Sequence, residues 1–229
     1  MTERQAAKPR EGMASRMNDW FAAQRWPSDQ KALPAHLRLL LARAGVSPRE
    51  DGGTALTEPI VLFRRTTDSS QHYDLFSQDG TPLGSLGRPE WRSPAWVLKD
   101  ANGERTMTLR RSRGGFGAPW KYAIQAGDGS QIATVEQEAR WSSRALVDVD
   151  TAHTVGLTLK MPFRAPSEAV IEDESGRVLV SIQRPVFWYE VFLSVVEPDL
   201  PPEICAVRLA APVIYAKENQ VSAAGWWRK

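Results

Sequence analysis

The residues best equipped for chemistry crowd into one stretch, Leu109 to Lys121, LRRSRGGFGAPWK. Arg110, Arg111, Arg113 and Lys121 surround Gly114, Gly115 and Gly117, with Phe116 and Trp120 set between them. Guanidinium forks beside glycine-rich backbone N–H groups suit an oxyanion, a phosphate above all. Phe116, at the tip of such a loop, suits a bilayer interface or a stacked base. The stretch is no nucleotide-binding P-loop, because G-x-x-x-x-G-K-S/T is missing. Its plain alternative is a mobile connection carrying scattered surface charge. Arg110, Arg111, Arg113, Lys121 and Phe116 are therefore the candidate lipid- or phosphate-binding residues.

Elsewhere the chain offers little reactive chemistry. His36, His72 and His153 are the three histidines, and no pair has ligand spacing. No zinc motif and no G-x-S-x-G elbow occurs. Asp148 and Asp150 alternate as the solvated end of a strand would. Glu172 to Gly176, EDESG, reads as a hairpin turn, since the twelve-residue spacing of a calcium loop is missing. Cys205 is the one cysteine, so no internal disulfide forms, and its apolar setting marks a buried thiol. No catalytic residue, cofactor or metal is expected, and the reading is of a non-enzymatic protein.

Charge adds a further exclusion. Twenty-nine basic and 27 acidic residues leave a net charge of +2, without the clustered basic face that nucleic acid calls for. A single-stranded nucleic-acid binder, which the arginine and aromatic mixture would suit, is disfavoured on that ground. The first sixteen residues hold no apolar signal core, and no window reaches the roughly 20 apolar residues of a spanning helix. The expected location is the cytoplasm, at most peripheral to a membrane.

Those candidate residues must be positioned by strands. Tyr73–Leu86, Trp96–Leu109, Tyr122–Val135 and Val170–Ile182 each consist of an alternating apolar run, a turn and a second run. The turns carry Asp79-Gly80, Asn102-Gly103, Asp128-Gly129 and Ser175-Gly176, and two-residue hairpin turns need the positive φ that such pairs supply. Further strand candidates are Ile60–Arg64, Ser143–Val149, Val155–Met161 and Val186–Val196, about twelve strands in all. Regularly spaced short strands predict a sandwich or barrel.

Two other parts differ in character. Asp199–Lys217, DLPPEICAVRLAAPVIYAK, is apolar or small almost all round from Ile204 to Ala216, so protein must enclose it. Arg208 interrupts it and needs either a partner carboxylate or an escape to the barrel mouth. Pro212 is expected to kink or end the helix near Ala211, giving a helix over about 200–212 and a tail over 219–229. At the other end, a polar tail precedes two short helical patterns, Met17/Trp20/Phe21/Gln24 and Leu37/Leu40/Leu41/Ala44. These either pack on the outside of the following domain, pair with another copy, or lie in a membrane interface. SPREDGG, Ser47–Gly53, separates this extension (1–53) from the barrel (54–218).

The order of Asp-Gly-type hairpins, apolar strand and apolar helix resembles the tubby-like fold of tubby C-terminal domains, phospholipid scramblases and LURP-one-related proteins. The residues carrying the likeness are YDLFSQDGTPLGSL (Tyr73–Leu86), AVIEDESGRVLVSIQR (Ala169–Arg184) and FLSVVEPDLPPEICAVRLAAPVIYAKE (Phe192–Glu218). The resemblance implies a mainly β chain: a closed antiparallel barrel of about twelve strands around a C-terminal apolar helix, with the helical extension in front. It further implies a binding or scaffold role toward anionic lipid headgroups or a protein partner. The alternatives are a scramblase-like lipid-handling protein, or an enzyme with a pocket at the barrel mouth.

Overall fold

The computed structural model describes residues 53–65, 72–90, 92–112, 118–139, 142–149, 156–161, 168–183, 191–196 and 200–226. Both helical patterns of the extension lie outside these residues. Twelve antiparallel strands close into a barrel: β1 (Ile60–Arg65), β2 (His72–Ser77), β3 (Pro82–Gly87), β4 (Ala95–Asp100), β5 (Arg105–Ser112), β6 (Lys121–Ala126), β7 (Gln131–Gln137), β8 (Arg144–Val149), β9 (Leu157–Lys160), β10 (Glu168–Glu172), β11 (Val178–Gln183) and β12 (Val191–Val196). Every strand pairs with its neighbours in sequence, and β12 pairs with β1 to complete the ring. Closure leaves no strand edge unpaired.

The hairpins are made as the Asp-Gly pairs direct, with one difference. The loops contain three residues rather than two: Ser77 N–H bonds Thr81 O at 2.9 Å, while Gly80 N–H bonds Ser77 O at 3.0 Å. Gly80, Gly103, Gly129 and Gly176 hold φ of 88°, 84°, 92° and 78°, the left-handed position that closes such a loop with a bulge. Register shifts follow at Leu75/Phe76, Leu98/Lys99, Ile124/Gln125 and Ile171/Glu172. An aspartate stabilises each loop by accepting backbone amides: Asp100 Oδ1 takes those of Asn102 at 2.9 Å and Glu104 at 2.8 Å, and Asp173 Oδ1 takes those of Ser175 and Arg177. A side chain already bonded to the loop amides favours this loop over the two-residue form.

Inside the ring runs α1, Pro202–Trp226. From Ile204 to Tyr215 it is buried on every side, packed against Val61, Phe63, Tyr122, Ile124, Val135 and Ile182 of the inward strand faces. Ala206, Ala210 and Ala211 supply the slimness that this position needs. The expected end near Ala211 is a misreading, because α1 continues through Pro212 and past residue 219, where a tail was expected. Pro212 does remove one intrahelical donor, but the enclosing barrel wall holds both flanking turns in place.

Arg208 does not escape to the barrel mouth. It is fully buried and donates to the backbone carbonyls of Ala55 and Glu58, in the turn that leads into β1. Burial pushes its pKa down to about 10, which still leaves the guanidinium charged at neutral pH. The charge is thus met by the two peptide carbonyls and by the field of the buried Glu58 carboxylate.

Candidate functional site

The two ends of the barrel are built differently. Connections 78–81, 101–104, 127–130 and 173–177 are tight and lie at one end, together with the longer β8–β9 connection, and α1 also enters here. Connections β1–β2, β3–β4, β5–β6, β7–β8, β9–β10 and β11–β12 all lie at the other, and here α1 emerges with Lys217 and Glu218. A rigid ring presenting most of its longer connections at one end is where binding residues concentrate. The candidate stretch Leu109–Lys121 joins β5 to β6 at this loop end.

Strand alternation separates the candidates. Arg110 stands opposite Ala123 and points outward, whereas Arg111 stands opposite Tyr122 and points into the mouth. Arg110 is exposed and makes no ion pair or side-chain hydrogen bond among the described residues. Lys121 is also outward, but Glu136 on β7 takes its ammonium at 2.8 Å. Arg113 and Phe116 lie outside the described residues.

Arg110 and Arg111 meet at a cleft of about 570 Å³, lined also by Pro94, Ser112, Ala123 and Gln125. Next along the outward face, Thr108 is buried with its hydroxyl unpartnered, opposite Gln125. The Arg110 guanidinium, unpaired among the described residues, the Gln125 amide and the Ser112 hydroxyl thus border the same depression. The Arg111 guanidinium is half-exposed and joins the cleft to a second group of charges inside the mouth.

That second group centres on Glu218. Arg111 Nη2 reaches one carboxylate oxygen at 3.0 Å, and the Tyr122 hydroxyl donates to the other at 2.5 Å. Burial pushes the Glu218 carboxyl above its usual range, against the Tyr122 hydrogen bond and the Arg111 charge. Burial, then the Glu218 charge, pushes the Tyr122 phenol well above the ordinary range, so it stays a donor. Lys217 is lowered by burial and by Arg88 and Arg111, and it joins Arg111 as a second cation beside the Glu218 carboxylate. Aromatic packing supports the group: Arg88 lies 5.6 Å from the Trp96 ring, Trp96 stacks on Tyr73, and Trp120 meets Tyr122 edge-on.

No known family profile and no curated protein matches the sequence. A solved structure of a protein from Arabidopsis thaliana is similar at 14% identity and a TM-score of 0.48, over 73% of this chain and 98% of that one. Similarity at that level transfers no residue role.

Several members of the mouth escaped sequence reading. Glu218 and Lys217 follow Pro212, beyond the expected helix end. Continuing the helical period through the proline puts Glu218 four residues after Ile214, on a buried face. Tyr122 was visible only as a strand residue, and Arg88 falls between two predicted hairpins. Of the other groups weighed, Cys205 is buried and its thiol is pushed up by that burial, so it holds its proton and is a poor nucleophile. Asp148 points outward on β8, exposed, and Asp150 lies outside the described residues. No cluster of three or more His, Cys, Asp or Glu able to hold a metal occurs among the described residues. Nor is any helix among them long and apolar enough to cross a membrane.

Proposed function

We propose that this chain is a tubby-like binding module, without catalytic activity, whose loop end receives an anionic lipid headgroup. The observation that carries the reading is Arg110: an outward guanidinium, without a partner among the described residues, bordering a cleft of about 570 Å³ beside the β5–β6 connection. The closed barrel around a C-terminal helix is the architecture that the tubby-like resemblance implies. Arg111 serves as an inner wall of the cleft, restrained by Glu218. Lys121, already paired with Glu136, adds little charge of its own. The protein would act by position, holding itself or a partner at an anionic surface.

Flotation with liposomes tests this reading. The protein is expected to float with vesicles containing an anionic lipid and to stay behind with neutral ones. A basic side chain near an anionic surface contributes about 1 kcal/mol, so Arg110→Ala should weaken binding roughly fivefold. The Arg110→Ala/Arg111→Ala/Arg113→Ala variant should remain in the unbound fraction. If wild type ignores anionic vesicles as the triple variant does, the lipid reading is lost and the protein-partner reading takes its place.

A further inference from the structure

The Arg111–Glu218 pair differs from the surface pairs near it. Lys121 with Glu136, and Arg144 with Glu138, keep 30% or more of each side chain in water, where an ion pair contributes little. Between Arg111 and Glu218 the exposure is unequal, 40% for the arginine side chain and 10% for the glutamate. The backbone of Arg111 is fixed, since β5 pairs it with Tyr122 on β6. Its guanidinium is held more lightly. Nη2 reaches Glu218 at 3.0 Å, the one ion pair of Arg111 among the described residues, and Nε is buried without a hydrogen-bond partner. The same side chain lines the cleft beside Arg110. Arg111 thus stands between two places for an anion, the Glu218 carboxylate in the mouth and the cleft outside it.

A proton decides between them. Glu218 meets Arg111 from β5, the Tyr122 hydroxyl from β6 at 2.5 Å, and Lys217 on its own helix. Arg88, from the β3–β4 connection, acts on Lys217 and Tyr122. Among the described residues these are the charged and titratable groups around it. Burial pushes the Glu218 carboxyl above its usual range, so it takes up a proton at a higher pH than a surface glutamate does. A neutral carboxyl still accepts from the Tyr122 hydroxyl, but it offers the guanidinium no charge.

Resting on the headgroup reading for the source of the anion, we propose that Glu218 is a proton-operated latch on the cleft. As a carboxylate it keeps Arg111 in the mouth. As a neutral acid it releases Arg111 to a phosphate-bearing anion in the cleft, beside Arg110. Only a side chain moves, and the strand that carries it stays paired. Because the anion and Glu218 compete for Arg111, binding takes up a proton and strengthens as pH falls. With a single proton exchanged, the gain is at most about tenfold per pH unit.

Vesicles of phosphatidylcholine, with and without phosphatidylglycerol, test the latch at about pH 7.5 and about pH 5, a range that spans a raised carboxyl. The phosphatidylglycerol headgroup keeps its charge throughout. Wild type is expected to bind the anionic vesicles roughly tenfold more tightly at the lower pH. Glu218→Gln keeps an acceptor for Tyr122 and should bind at the higher pH as tightly as wild type does at the lower, with no further gain. Arg111→Gln should lose the gain, and it decides the matter should Glu218→Gln fail to fold by circular dichroism. Equal binding by wild type at both pH values overturns the latch and leaves the headgroup reading standing. So does a pH dependence that persists in Glu218→Gln. Wild type that ignores anionic vesicles at both pH values removes the lipid as the source. Calorimetry with inorganic sulfate, a phosphate surrogate of constant charge, then decides the latch by itself. Tighter sulfate binding at the lower pH, abolished in Glu218→Gln, supports it, and sulfate binding without that dependence, or none, overturns it.

Discussion

At the residue scale, Arg208 shows how a charge lives inside this fold. Its two bonded carbonyls belong to a turn 150 or more positions away, so it ties the start of the barrel to the helix at its centre. Replacing it with methionine keeps most of the volume but strands both carbonyls, a loss of about 3 kcal/mol. Arg208→Lys should lose less, because its ammonium still satisfies one of the two carbonyls although it cannot span both as the rigid guanidinium fork does. Urea midpoints at constant m-value measure both, and a methionine variant as stable as wild type would refute the tie. Glu218 carries a pH prediction. Its pKa is raised in the folded state, so its protonated form favours folding below the ordinary carboxylate pKa. That contribution disappears as pH rises through the raised value. Stability of wild type should therefore fall across this window, and Glu218→Gln should flatten that part of the profile. Both effects rest on partners brought together by closure, which is why sequence reading found Arg208 but neither its carbonyl acceptors nor Glu218. The parity of Arg110 and Arg111, one out and one in, was legible in principle from strand alternation alone.

At the scale of the element, the glycines divide by what surrounds them. Gly84 on β3 has φ of +132°, and a Cβ there would stand 2.0 Å from the Lys99 carbonyl oxygen on β4. Gly103 has φ of +84°, with nothing within 4 Å of such a Cβ. Gly103→Ala should cost about 1 kcal/mol of backbone strain. Gly84→Ala must also push two strands apart and should cost about 3 kcal/mol or more. Thermal melts of the two variants rank them directly, and equal losses would mean that β3 and β4 separate freely. Twelve strands and their turns were legible because each Asp-Gly or Asn-Gly pair punctuates an alternating run. The enclosed helix was legible because Ile204–Ala216 is apolar on all faces. Its length was not, since proline's cost of about 3 kcal/mol in a helix interior is a local quantity. Here the wall around Leu209–Tyr215 outweighs it. Ala210 reports on the same wall: Ala210→Asp should abolish folding, because no partner is at hand for a carboxylate. A variant that folds with an unchanged melting temperature would place that face of α1 outside the wall.

At the scale of the whole molecule, the ring makes stability cooperative. A chain stopped at Gln183 lacks β12 and α1, leaving β1 and β11 with open edges and the inward apolar faces without a filler. Such a chain should aggregate rather than form a smaller barrel, which sedimentation of the expressed fragment would show. The division of the barrel into a tight-turn end and a loop end also separates what holds it from what it presents. Substitutions in 78–81 or 127–130 should alter melting temperature, whereas Arg110→Ala should alter binding and leave melting within about 0.5 kcal/mol of wild type. The bond from Arg208 to Ala55 and Glu58, and the pairing of β1 with β12, have one more consequence, for synthesis on the ribosome. The first strand made waits for the last, and the residue that anchors its entry turn arrives after every strand has been translated. The newborn chain therefore emerges as a row of hairpins with an unclosed seam. It becomes a barrel only once β12 and α1 have been made.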